Sequence, residues 1–136
     1  MIKSSLTVLL LVGSAYAAPL PDPVKETEVP KELLKARLDA VREVFRIAKA
    51  EADAGKLSED GPSVWSVRLL EAERALATTR DEHLAACRQH VERMRDFEKV
   101  QKARLELGRI SPKDYAAAKY FLAEAEILRA RVEGKK

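Results

Sequence analysis

"GRISPKDYAAAKYFLAEAE" at residues 108–126 stands 53 positions after "GKLSEDGPSVWSVRLLEAE" at residues 55–73, with glycine, serine and Glu-Ala-Glu in register. At the same offset Arg42 pairs with Arg95, Lys49 with Lys102, Ala50 with Ala103 and Leu69 with Leu122. Apolar positions correspond too: Leu38 with Val91, Val41 with Met94, Val44 with Phe97, Ile47 with Val100, and Leu57 with Ile110. Alanine-rich and charge-rich helices match easily, but that bias does not set a glycine, a base, a branched residue and a serine in order at two turns without a gap. The pattern predicts a duplicated unit of 53 residues, copies at about 31–83 and 84–136, each a helical hairpin turning at G-[KR]-[LI]-S. Gly55 and Gly108 end one helix in the left-handed conformation, and Ser58 and Ser111 start the next.

Outward from these turns the chain reads as helix throughout. Leu34, Leu38, Val41, Phe45, Ala48 and Ala52 step by four and three, the seam of a heptad pattern, over a helix at 31–54. Pro62 suits a first helical turn, and neither glycine nor proline recurs before Gly108. The expected second helix is therefore a long central one, about 46 residues and about 69 Å. Its single weak point is Thr78-Thr79, where Thr79 and Glu82 have capping-box spacing. A third helix is expected from Pro112 to about Val132, with Asp114 near its free amide protons. The fold class is all-α: antiparallel, coiled-coil-like hairpins of three helices around the long central one. In that rod Leu33, Val44, Ile47, Phe97 and Val100 leave a second apolar face. Either the rod collapses at Thr78 into a four-segment bundle or other chains cover the face, and association is the preferred expectation.

The stretch "ARLELGRISPKDYAAAKYFLAEAEILRAR" resembles the helical hairpin repeat of TolC-type outer-membrane efflux factors, whose helices are joined by G-x-[IV]-S-x-x-D before alanine-rich heptads. Gly108, Ile110, Ser111, Asp114, Ala118, Leu122, Glu124 and Ala125 fit that pattern; in the first unit Gly55, Leu57, Ser58, Leu69, Glu71 and Ala72 do. The resemblance implies a periplasmic helical hairpin and, with it, a component of an efflux assembly. It does not extend to a channel, because no stretch here alternates with period two over a membrane-spanning length.

Before the first helix, Lys3, the apolar run Leu6–Val12 and "GSAYA" read as a secretory signal peptide over residues 1–17, cut after about Ala17. Residues 18–30, with four of the chain's 6 prolines, read as an extended tether. A secreted protein, periplasmic or extracellular, is expected. Past residue 17 the chain has 24 basic and 22 acidic residues in a dense mixture without a one-sign tract, which argues against a nucleic-acid partner. The one cysteine forms no internal disulfide. No direct membrane span is expected.

His83, Cys87, His90 and Met94 share one stripe of the central helix, and soft sulfur with imidazole suits copper or zinc. The metal set His83, Cys87 and His90 competes with a packing reading in which Cys87 and Met94 correspond, across the repeat, to the seam positions Leu34 and Val41. Trp65 covers the end of the first helix or meets a partner. The Glu-Ala-Glu pairs have arginines at salt-bridge spacing and read as solvated. No phosphate loop or nucleophile signature is present, and neither an enzyme nor a cofactor is expected. The leading expectation is an exported helical interaction or scaffolding protein that binds copies of itself or an envelope partner. The alternatives are a small periplasmic metal-binding bundle and an accessory efflux component.

Overall fold

The computed structural model describes residues 28–56 and 58–134, so the expected signal peptide, most of the tether, and Leu57 lie outside the described residues. Four helices follow one another: α1 (Lys31–Asp53), α2 (Pro62–Leu76), α3 (Arg80–Glu106) and α4 (Pro112–Gly134). Among the described residues there is no strand, and no helix is long and apolar enough to cross a membrane.

The expected three-helix rod is corrected at Ala77–Thr79, where the backbone becomes extended (Ala77 ψ 130°, Thr79 φ −114° and ψ 158°). The physical reason lies in four side-chain bonds. Thr79 Oγ1 accepts from the Glu82 amide at 3.2 Å, and Glu82 Oε2 accepts from the Thr78 and Thr79 amides at 2.6 and 3.1 Å and from the Thr78 hydroxyl at 3.1 Å. This capping box satisfies free amide protons of a new helix, and two β-branched threonines give up little helix propensity by leaving the helix. The hydrogen bonds from the Thr78 and Thr79 amides hold the Glu82 carboxyl below its usual range.

With the joint bent, the chain folds back at Thr78 into a serial array of helices and not into the four-segment bundle of the alternative expectation. The packed pairs run in chain order, α1 on α2, α2 on α3, and α3 on α4. Each outer helix therefore has one main neighbour and each inner helix two. Leu38, Val41 and Ala48 of the expected seam are buried in α1, and Leu38 and Val41 meet Leu69 and Ala72 of α2. Val91 and Met94 of α3 meet Ala125 of α4, and a third cluster of Leu70, Ala86 and Cys87 joins three helices with Leu128 and Val132.

Both expected glycine turns form. Gly55 and Gly108 have φ of 83° and 68°. After α1, Gly55 N bonds Ala52 O at 3.0 Å and Lys56 N bonds Glu51 O at 2.9 Å; after α3, Gly108 N bonds Leu105 O at 2.9 Å and Arg109 N bonds Arg104 O at 2.8 Å. These are the same bonds at the same offset, and they satisfy helix-end carbonyls. The serines differ. Ser111 Oγ accepts from the Asp114 amide at 3.2 Å while Asp114 Oδ2 accepts from the Ser111 amide at 2.9 Å. Ser58 is exposed and does not cap α2, which corrects the expectation for that serine, while α2 starts at Pro62 after an extended Gly61, as the proline led one to expect. Proline disfavours the helical conformation in the residue before it, so the start moves to Pro62 itself.

Candidate functional site

The α2–α3 contact is built around polar side chains that the heptad pattern does not single out. Ser66 and His90 are buried, and Ser66 Oγ lies 2.9 Å from His90 Nδ1. Arg93 Nε donates to Ser66 Oγ at 2.8 Å, and its Nη2 reaches Glu73 Oε2 at 3.2 Å; both side chains of that ion pair are more than four-fifths shielded. The serine oxygen keeps a second lone pair beside the one Arg93 uses, so the proton of the Ser66–His90 bond sits on the hydroxyl or on Nδ1 according to the ring tautomer. Burial first, and the Arg93 charge second, depress the His90 pKa to about 4, in keeping with a neutral ring. Glu73 is the one acid of the Glu-Ala-Glu pairs that is not solvated, which corrects that reading.

A serine bonded to a histidine beside an ion pair shares components with an activated nucleophile. Here Ser66 has 0% exposure and its oxygen accepts from Arg93 in the interior of the α2–α3 contact. The arrangement fastens α2 to α3.

The candidate metal residues are dispersed in their bonding. Cys87 is buried among Leu70, Ala86, Leu128 and Val132, which pushes its thiol pKa up. His90 is engaged with Ser66, and His83 is half-buried. Among the described residues, no group of three or more His, Cys, Asp or Glu side chains could hold a metal ion. Met94 is core, against Val91 and Ala125.

The five expected interaction residues divide between three places. Val44 and Trp65 flank a shallow groove between α1 and α2, where the Arg68 guanidinium lies 4.4 Å from the Trp65 ring centre. Phe97 and Val100 line an apolar cleft between α3 and α1, closed by Phe45 and Ala52 and bounded by Arg93 and Arg104. Arg104 ties the two helices by donating to the Ala52 carbonyl. The cleft volume is about 90 Å³, room for one apolar side chain and well below the few hundred Å³ of usual small-molecule sites. Ile47 stands on the outer side of α1, 44% exposed.

That outer side continues through Leu33, 62% exposed, and a matching stripe on α4 carries Tyr120 and Ile127 at 60% and 43%. Sequence reasoning missed the α4 stripe. Its signal was present in Tyr120 and Ile127, spaced seven residues apart with alanines at 116, 123 and 130. No family model, curated protein or solved structure matches the chain.

Proposed function

We propose that this chain is an exported, non-catalytic helical scaffolding protein, a duplicated pair of hairpins that associates with copies of itself. The observation that carries the reading is the open, serial packing of the helices. Both outer helices keep large apolar side chains in water, Leu33 and Ile47 on α1 and Tyr120 and Ile127 on α4. In repeat proteins of stacked helices, terminal units need a polar outer face to stay monomeric. These two lack one.

The duplication is supported by the shared backbone bonds of the two glycine turns and by the buried pairs Leu38 with Val91, Val41 with Met94 and Ala72 with Ala125. Export rests on the "GSAYA" segment and its apolar run. Light-scattering mass and small-angle scattering on the purified chain, over a wide concentration range, test the reading. A mass that grows with concentration supports it, and a monomer at every concentration overturns it.

A further inference from the structure

The repeat offset carries information about how copies meet. It superposes α1 on α3 and α2 on α4. In each hairpin one side of the first helix packs on the second helix: Leu38 and Val41 in α1, Val91 and Met94 in α3. The first helix of the second hairpin has another occupied side. Ala86, His90 and Arg93 of α3 meet Leu70, Ser66 and Glu73 of α2. Shifted back by one repeat, Ala86, His90 and Arg93 become Leu33, Arg37 and Ala40, all exposed on α1, and the line continues to Ile47. Shifted forward, Ser63, Ser66 and Leu70 of α2 become Ala116, Lys119 and Ala123, all exposed on α4 beside Tyr120 and Ile127. The surfaces Leu33–Ala40 and Ala116–Ala123 thus correspond to the two that already pack on each other inside the chain, while Ile47, Tyr120 and Ile127, at their edges, correspond to Val100, Val67 and Arg74, outside the contacts named.

We propose that a second copy of this chain lays its α4 stripe on the α1 stripe of the first, head to tail, in the antiparallel manner in which α2 lies on α3. This rests on the duplication and self-association reading above and names its surfaces. Alanines at 116 and 123 let the α1 backbone approach, and Leu33, at the place of Ala86 opposite Leu70, supplies the bulk that faces Ala123. The polar centre of the internal contact is not repeated. Ser66, Glu73, His90 and Arg93 correspond to Lys119, Glu126, Arg37 and Ala40, so two bases meet one acid without a shielded ion pair. The contact between copies is accordingly weaker than the internal one and forms reversibly. Being heterologous, it uses different faces on its two sides and propagates unless a rotation closes it.

Sedimentation on the parent, two blocked variants and their mixture tests this. Leu33→Glu with Ile47→Glu blocks the α1 face, and Tyr120→Glu with Ile127→Glu blocks the α4 face. All four positions are exposed, so helix content and thermal midpoint should hold; Ile47→Ser and Ile127→Ser replace them if either falls. Each blocked variant alone should lose self-association by at least about tenfold. An equimolar mixture should recover a heterodimer and nothing larger, because each variant retains the face the other lacks. Loss in one variant only means that like faces pair, loss in both without recovery means that the two faces do not meet each other, and either overturns the head-to-tail contact. Variants that assemble as the parent does overturn the assignment of the faces while self-association itself stands. A parent that is monomeric throughout overturns both.

Discussion

His90 ties the stability of the α2–α3 contact to pH. Its ring is neutral in the fold, with a pKa near 4 against an unfolded value of 6.5, so the unfolded chain binds the extra proton first as pH falls. The sign follows: this contribution is fully present above pH 6.5, drains away between 6.5 and about 4, and is flat below. Over the whole window it amounts to no more than about 3–4 kcal/mol. Urea midpoints at pH 7 and pH 5 should therefore differ for the parent. They should nearly coincide for His90→Asn, which keeps an acceptor near the Nδ1 position and takes no charge. Equal midpoints in the parent would show that the ring is not held neutral. Breaking the adjacent ion pair acts at every pH: Arg93→Met leaves Glu73 shielded without a partner and should cost about 3 kcal/mol in the same assay. None of this polar core was legible in the chain. Ser66, Glu73 and Arg93 lie off the α1-type seam, and they become interior only because α2 doubles back onto α3. The seam itself was readable to the residue at Leu38, Val41 and Ala48, since one buried face per helix follows from the 3.5-residue period alone.

At the scale of the element, repeated letters do not guarantee repeated work. Gly55 and Gly108 do the same job, and both turns were legible because a left-handed helix end leaves few residues to choose from. Ser58 and Ser111 do not. Ser111 shares a reciprocal pair of bonds with Asp114, whose carboxyl is held below its usual range by the serine hydroxyl and amide. At the corresponding position after Ser58 the chain has Gly61, which offers no side chain, so no box forms. Ser111→Ala should cost about 1 kcal/mol. Ser58→Ala should change stability by less than about 0.5 kcal/mol. Comparable losses at the two serines, read from urea midpoints, would mean that both helices are capped alike. The break after Leu76 was only half legible. Its capping letters were visible, but no glycine or proline marks it, and burial at Ser66, Leu70 and Ala86, which adds to the capping bonds, is something a local reading does not weigh.

For the whole molecule, the three residues Ala77-Thr78-Thr79 separate two arrangements built from the same contacts. Bent, the joint lets α2 pack on the α3 of its own chain. Straight, it makes α2 and α3 one long helix, and α2 must then find the α3 of another chain. The bend is held by the Thr79–Glu82 box and the two bonds from Thr78 to Glu82, all at exposed positions outside the core. Removing them with Thr78→Ala, Thr79→Ala and Glu82→Ala therefore changes the preference of the joint and leaves both sides of the α2–α3 contact intact. Hinge variants of this kind exchange elements between copies. The expected product is a swapped dimer of doubled mass and clearly larger radius of gyration, with the helix content of the parent. It should survive dilution better than head-to-tail assemblies, because it is fastened by Ser66, His90, Arg93 and Glu73. It should also persist when Leu33→Glu and Ile47→Glu block the outer face of α1, which separates exchange at the joint from stacking at the ends. A triple variant that stays monomeric and fully folded at high concentration would place the cause of the bend in the α2–α3 contact itself, with the capping bonds following from it.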